Sequence, residues 1–415
     1  MKTHGSGPTT DGTIDGRSGM NGGMRVTHKA ALFLVLVTSA CDTPSSSSAA
    51  PAPSASSAPA AASSARAAAS ASVAPSASAA APNAAPRGGF TVKALPLPGA
   101  TAPASLDYIA CERPRAARAG FAADEHSRVW VPVGATGSVD VLDIPTGAFT
   151  RVDGFKTAEH EAHGKKRLRG PSAVAVGELF AYVGDRATNE VCPVELKTLA
   201  RKPCLKLSTE IDGVAYVAAT KEVWVTTPEE QSLTVLETTA SGTLKVSGTV
   251  KVGGAPEGYA VDESRGLFFT NLEDKGGTVV IDVKKRAVTA TWAPGCGADG
   301  PRGVAVDEKE HVVLVACTDH IQALDAGAYG SLLGMLDTGP GVDNIELSSE
   351  TRQLYVAAGK AARLTVAHVG AHGAMTVLAT VDTREGARNA VADAMGNAYI
   401  ADSAGANLLV ASHAP

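Results

Sequence analysis

The sequence lacks most of the short motifs that mark enzymes. It has no P-loop, no HExxH zinc motif and no GxSxG nucleophile elbow, and the absence of CxxCH excludes covalent c-type haem. A formal net charge of −5 and the absence of a long basic run argue against a dedicated nucleic-acid binder. No apolar run is long enough for a permanent membrane-spanning helix, since the longest, Ala30–Val37, has the length of a signal-peptide core.

Residues 1–40 are predicted to be an export signal. A short basic segment precedes Ala30–Val37, and small residues then lead to Cys41. The stretch from Thr38 to Cys41 resembles a bacterial lipobox, which implies acylation of Cys41 and a lipid anchor in the cell envelope. A plain signal peptide cut nearby is the alternative, and Met24 is an alternative translation start.

The next segment, residues 41–87, consists almost wholly of Ser, Ala and Pro. It cannot bury an apolar core, so we expect a disordered tether between the anchor and a folded domain at residues 88–415. We expect that domain to be a monomer.

Five cysteines remain once Cys41 is set aside. Because disulfides persist in exported proteins, two bonds are plausible, Cys192–Cys204 across a hairpin and Cys296–Cys317 between loops of one face. Cys111 would then stay single, and we expect it to be a buried, inert thiol.

From Phe90 onward, a unit of roughly forty residues repeats, which is typical of β-propeller blades. The clearest unit has four short β-rich runs separated by turn residues: Gly258–Asp262, Gly266–Asn271, Thr278–Val283 and Ala287–Trp292. Seven inner strands are found, and the last unit lacks a fourth strand. The unassigned Phe90–Leu97 segment is predicted to supply it and to close a seven-bladed, all-β propeller.

The run FFTN at 268–271 and its relatives resemble the YVTN-type repeat of seven-bladed propellers, which occurs in bacterial surface and periplasmic proteins and in some lactonases. The resemblance supports the fold and says little about function, because propellers host many unrelated activities.

A polar residue stands near the start of each inner strand, where the blades of a propeller converge. We name this set the mouth ring, since it is predicted to surround one end of the central channel. Its members are Asp107, Ser172, Asp212, Glu257, Arg302, Asn344 and Asn389. Such a ring is the predicted ligand site, for a small molecule or an envelope protein or peptide, although a solvated channel end explains the same polarity.

The mouth ring also resembles that of the senescence-marker/gluconolactonase propellers, which hold a divalent metal at the channel mouth. The resemblance implies that Asp212, Glu257, Asn344 and Asn389 would bind Ca²⁺ or another divalent ion and that the protein would be a lactonase-like hydrolase. Arg302 in the same ring opposes a bound cation. We therefore favour a non-catalytic binding or scaffold role without a cofactor and keep the hydrolase as the alternative.

One connection between blades is unusually long, Thr157–Gly170. It carries His160, His163 and several basic residues, so half of a metal site or an anion-binding segment are possible functions. A flexible, solvated loop is the preferred interpretation.

Overall fold

A computed structural model describes residues 89–114, 126–162 and 164–413. The predicted signal, Cys41 and the predicted tether lie outside these residues, as does His163. No helix in the described part of the chain is long and apolar enough to cross a membrane.

The described residues form seven four-stranded antiparallel sheets, numbered here as blades from strands β1 (Phe90–Pro96) to β30 (Asn407–His413). The all-β, seven-bladed propeller is therefore confirmed. Blade 1 contains β2 (Ala110–Glu112), β3 (Arg128–Val133), β4 (Ser138–Asp143) and β5 (Ala148–Val152). Blade 2 contains β8 (Pro171–Val176), β9 (Phe180–Asp185), β10 (Glu190–Glu195) and β11 (Leu205–Lys206). Blade 3 contains β12 (Val214–Val217), β13 (Glu222–Thr227), β14 (Ser232–Thr238) and β15 (Leu244–Lys251).

The remaining blades follow the same order from the inner to the outer strand. Blade 4 contains β16 (Pro256–Asp262), β17 (Leu267–Leu272), β18 (Gly277–Asp282) and β19 (Ala287–Trp292). Blade 5 contains β20 (Val304–Asp307), β21 (Val312–Ala316), β22 (His320–Asp325) and β23 (Ser331–Asp337). Blade 6 contains β24 (Val342–Ser348), β25 (Gln353–Ala358), β26 (Arg363–Val369) and β27 (Met375–Asp382). Blade 7 contains β28 (Ala387–Ala392), β29 (Ala398–Asp402), β30 and β1.

The first and last strands close the propeller. β1 pairs antiparallel with β30 from Phe90 opposite His413 to Pro96 opposite Asn407. The predicted closure by the opening segment is therefore confirmed, and blade 7 contains both ends of the described chain. Closure pairs an edge of β30 that would otherwise be open.

The core lies between neighbouring blades, because the second and third strands of each blade are buried on both faces. Trp130, Trp224 and Trp292 are all buried, as their positions in strands predict. The ring of Trp224 in blade 3 stacks on that of Phe268 in blade 4, with centroids 5.1 Å apart. The aromatic residues therefore join adjacent sheets.

Glycine lets the inner strands approach closely near the channel. A Cβ atom on Gly258 would lie 2.4 Å from the Cα of Gly303, and one on Gly303 would lie 2.7 Å from the Cα of Asn344. Both contacts are too short for any side chain, so these glycines bring blades 4, 5 and 6 together at the channel.

Both predicted disulfides are present, Cys192–Cys204 and Cys296–Cys317. Cys111 in β2 is free and half-buried. Two disulfides fit an oxidising, exported compartment. Burial also raises the pKa of the Cys111 thiol to about 12, which disfavours the reactive thiolate.

The long connection between blades 1 and 2 forms an ordered hairpin, which differs from the expected flexible loop. Its strands are β6 (Ala158–Ala162) and β7 (Lys165–Arg169), and they pair antiparallel. Arg169 donates to both carboxylate oxygens of Glu210 at 2.9 Å, and the Lys156 amide donates to Asp185 at 3.1 Å. The base of the hairpin is therefore held by contacts that are distant in sequence.

Candidate functional site

All seven mouth-ring residues lie at or just before the beginning of an inner strand. Four of them, Ser172, Glu257, Asn344 and Asn389, lie where the pairing of the inner strand with the next strand is interrupted by a register shift. Such β-bulges turn a side chain away from its regular direction. At Asn389 the backbone has a φ of 60°, a left-handed conformation that Asn tolerates better than most residues.

Arg186 connects two members of the mouth ring from the loop that follows β9. Its guanidinium lies 3.0 Å from the Asp107 carboxylate and also contacts Asp212. Burial alone would lower the pKa of Arg186, but Asp107, Tyr108 and Glu257 raise it, so the guanidinium stays charged. Arg186 thus links blades 1 and 3 through blade 2.

Asp107 also connects to the other side of the mouth. The Asn389 side-chain amide donates to Asp107 at 3.0 Å, and the Asn389 side-chain oxygen accepts the backbone N–H of Asn344 at 3.0 Å. The Asp107, Asn344 and Asn389 positions, which belong to blades 1, 6 and 7, are therefore joined in one hydrogen-bond network.

Two further ion pairs complete the mouth. Arg302 contacts Glu273 at 2.6 Å, and Arg388 contacts Asp343 at 2.9 Å. The described mouth therefore holds five carboxylates, those of Asp107, Asp212, Glu257, Glu273 and Asp343, against the three guanidiniums of Arg186, Arg302 and Arg388.

Glu257 is the carboxylate without a partner: no side chain or backbone group of the described residues donates a hydrogen bond to it or forms an ion pair with it. Burial and the neighbouring charges of Asp343, Asp107 and Glu273 raise its pKa to about 8, and Arg302 only partly opposes them. At neutral pH this carboxyl therefore carries a proton for much of the time.

Two tyrosines cross the channel below the mouth. Tyr108 donates a hydrogen bond to Asp212 at 3.0 Å and stacks on Tyr259, with ring centroids 5.7 Å apart. The Tyr259 hydroxyl donates to the carbonyl of Val214. Tyr108 is in blade 1 and Tyr259 in blade 4, so the pair spans the channel from two well-separated blades.

Beside the tyrosines lies a cavity of about 150 Å³. Its wall is mostly apolar and includes Tyr108, Tyr259, Val304 and Ile345, with polar positions at Asn344, Asn389 and Glu346. A second cavity of about 210 Å³, which Tyr259 also lines, is formed by the inner strands of blades 2, 3 and 4. The first cavity shares residues with the mouth ring, so a ligand at the mouth can extend into it.

Three buried polar atoms of the mouth have no hydrogen-bond partner: Ser172 Oγ, Arg186 Nε and Asn344 Nδ2. All three can donate a hydrogen bond, and an unsatisfied buried donor is costly. They are available to a ligand or to water. The Ser172 hydroxyl makes no hydrogen bond within the described residues, although the Ser172 carbonyl accepts the Tyr108 amide at 2.9 Å.

Two of the four residues proposed by resemblance as metal ligands, Asp212 and Asn389, already have side-chain partners in this structure. Both Asp212 oxygens are engaged, one by Arg186 and the other by the Tyr108 hydroxyl. The Asn389 side-chain oxygen already accepts the Asn344 amide. The remaining two are Glu257 and Asn344, so a Ca²⁺ ion, which takes about six to eight oxygens, would need most of its ligands from other groups or from water. Within the described residues, the only other group with metal-ligand spacing is Glu190 with Cys192 and Cys204, and these cysteines form a disulfide.

Sequence reasoning missed four charged residues of the mouth: Arg186, Glu273, Asp343 and Arg388. Arg186 and Glu273 come from loops between the second and third strands of blades 2 and 4. Asp343 and Arg388 directly precede Asn344 and Asn389. The sequence positions of these four residues, next to ring residues or in loops of the same face, indicate that they lie near the mouth. The ion pairs that they form across blades cannot be predicted from the sequence of a single repeat.

Known proteins resemble this chain in fold only. No protein-family model and no curated protein matches the sequence. Among solved structures, virginiamycin B lyase from Staphylococcus aureus is 10% identical with a TM-score of 0.57, and the match covers 78% of this chain and 99% of that chain. A chain of hydrazine synthase from Kuenenia stuttgartiensis is 14% identical with a TM-score of 0.56, covering 68% and 91%. A chain in a mitotic checkpoint complex is 12% identical with a TM-score of 0.57, covering 77% and 93%.

These neighbours include a lyase and a member of a protein assembly, so the shared fold does not select a function. Function has to be argued from the mouth itself.

Proposed function

We propose that this chain is a lipid-anchored protein of the bacterial cell envelope, and that its propeller binds a ligand at the channel mouth without changing it chemically. The lipobox-like segment ending at Cys41 supports the location, and the two disulfides are consistent with export. The binding role is supported by Asn344 Nδ2, a buried donor that lines the cavity and has no hydrogen-bond partner among the described residues.

The charges of the mouth favour binding over catalysis. Asp107, Asp212, Glu273 and Asp343 are each paired with an arginine. Each of these carboxylates is therefore already engaged by a guanidinium within the described residues. The metal-dependent hydrolase is less well supported, since guanidiniums occupy the positions next to its proposed ligands.

Native mass spectrometry tests the binding role. Purified protein would be equilibrated with the small-molecule fraction of a cell extract and compared with Asn344→Leu. Leucine is close to asparagine in shape, and the Asn344 side-chain nitrogen has no protein partner to lose. A Lys93→Gln variant on the exposed outer strand β1 is the matched control.

We expect a bound mass in the parent and in Lys93→Gln, its loss in Asn344→Leu, and release of the same mass on denaturation. A mass that Asn344→Leu retains, or a released product that differs from the bound compound, would contradict the proposal. The finding of no bound compound at all would contradict it as well.

Elemental analysis distinguishes the proposed binding role from the rival metal-dependent hydrolase. Protein purified without chelator should hold no stoichiometric divalent metal if the mouth is a binding site for organic ligands. One equivalent of Ca²⁺, Mn²⁺ or Zn²⁺ that disappears in the Asp212→Ala/Glu257→Ala double variant, together with hydrolysis of a lactone, would establish the enzyme instead.

A further inference from the structure

The mouth has three features that its own residues leave unused. Glu257 is a carboxyl group with no partner in the described chain. Asn344 Nδ2 is a buried donor with no acceptor. The adjoining cavity of about 150 Å³ is lined mostly by apolar and aromatic side chains. A ligand that satisfies all three needs a cationic group, a hydrogen-bond acceptor and a compact apolar group.

We propose that the mouth binds a small zwitterion with an apolar side chain, the chemistry of a free aliphatic α-amino acid. Its ammonium group pairs with Glu257, its carboxylate accepts from Asn344, and its side chain enters the cavity. This inference rests on the proposed binding function and names the class of ligand.

The arrangement of the inner strands places the two polar contacts near each other. Glu257 precedes Gly258, and the backbones at Gly258, Gly303 and Asn344 are in direct contact in that order. Only the inner strand of blade 5, β20, lies between the inner strands that carry Glu257 and Asn344. The two contacts of the proposed ligand, an ammonium and a carboxylate carried by one carbon atom, therefore come from inner strands of nearby blades.

The charge balance favours a zwitterion over a simple anion or a dication. With every acid ionised, five carboxylates face three guanidiniums, so the mouth is acidic. An anion would add to this excess, since only Arg302, Arg186 and Arg388 oppose it and all three are paired. A zwitterion places its cation on the one unpaired acid and adds no net charge.

The size of the cavity limits the apolar group. A cavity of about 150 Å³ is large enough for one compact apolar group, since an engineered apolar cavity of this volume binds benzene. Burying a branched aliphatic side chain against such a wall favours binding. Tyr108 and Tyr259 supply flat surfaces for it.

Ammonium binding has to remove the proton from Glu257. The groups that face this carboxyl are Asp343, Asp107 and Glu273, which favour the protonated form, and Arg302, which opposes it. Arg186 and Arg388 also act on it at longer range. Because the pKa of Glu257 is about 8, its ionised fraction rises as the pH increases from 6 to 8. The affinity for an ammonium group should rise with it.

Calorimetric titration with three probes tests the ligand class: L-leucine, 3-methylbutylamine, which lacks the carboxylate, and 4-methylpentanoate, which lacks the ammonium. We expect leucine to bind most tightly, with an affinity that increases more than tenfold from pH 6 to pH 8. Glu257→Gln should weaken leucine and the amine more than tenfold and abolish the pH dependence. Asn344→Leu should weaken leucine but leave the amine unchanged, and Lys93→Gln should change neither.

The outcomes distinguish the two proposals. If no probe binds, but Asn344→Leu still loses a compound in the extract experiment, the zwitterion is wrong and the binding role stands. If 4-methylpentanoate binds as tightly as leucine, or if Glu257→Gln has no effect on leucine, the ligand class is also wrong. Thermal melting of each variant checks that a lost signal does not come from unfolding.

Discussion

The pKa of Glu257 reflects the charges of the surrounding channel mouth. Its carboxyl has a pKa of about 8 because burial and three neighbouring acids disfavour the ionised form. The sequence predicts the position of Glu257 at the beginning of an inner strand, but not this perturbation. The acids that cause it, Asp343, Asp107 and Glu273, belong to blades 6, 1 and 4 and meet only when the propeller closes.

The raised pKa makes stability depend on pH. The folded protein keeps the Glu257 proton up to about pH 8, whereas the unfolded chain releases it near the ordinary value of 4.5. This carboxyl therefore contributes stability that is fully present below pH 4.5 and is lost as pH rises through 8. In ligand-free buffer, Glu257→Gln should melt within a degree or so of the parent at low pH and several degrees higher at alkaline pH. A melting difference that is the same at both pH values would contradict this.

Among the structural elements, β11 is the weakest outer strand. It has only two residues, Leu205 and Lys206, and the adjacent Cys204 is bonded to Cys192 on β10. The disulfide therefore replaces part of the hydrogen bonding that other blades obtain from an outer strand of five to eight residues.

Removing this bond should loosen one edge of blade 2. A Cys192→Ala/Cys204→Ala variant should lose about 3 kcal/mol of stability, as expected for a loop of this size. Hydrogen exchange should accelerate at residues 201–207 while the inner strands of the same blade stay protected. Uniform acceleration throughout blade 2 would show instead that the disulfide supports the whole sheet.

The elements also show where sequence patterns stop being informative. The four strands of blade 4 were predicted within about two residues, because each run is apolar and ends at a turn residue. The hairpin of β6 and β7 was not, since its residues are mostly polar and give no apolar alternation. It is ordered through Arg169 with Glu210 and Lys156 with Asp185, contacts that no local pattern shows.

At the scale of the molecule, the repeat was enough to predict seven blades and the closing role of the first strand. Each unit repeats the same four runs, so the count needs no knowledge of contacts. The mouth ring was predicted only as a set of positions. The ion pairs of the mouth involve Arg186, Glu273, Asp343 and Arg388. These residues connect different blades and do not recur from one unit to the next.

Closure by β1 should control the stability of the whole propeller. Deleting residues 90–97 leaves the edge of β30 unpaired and exposes the side chains that β1 covers. We expect a lower melting temperature and self-association through the open edge, measured by calorimetry and light scattering. A chain that begins at Arg87 is the control and should melt like the full chain. A monomeric deletion variant with unchanged melting would show that blade 7 is stable with three strands.

The pairing of Phe90 with His413 also has a consequence for engineering. The two ends of the described chain lie side by side on one outer edge, so a short peptide could join them and new ends could be opened in a surface turn of another blade. Whatever attaches before Gly89 and whatever is fused after His413 would emerge from the same point on the rim.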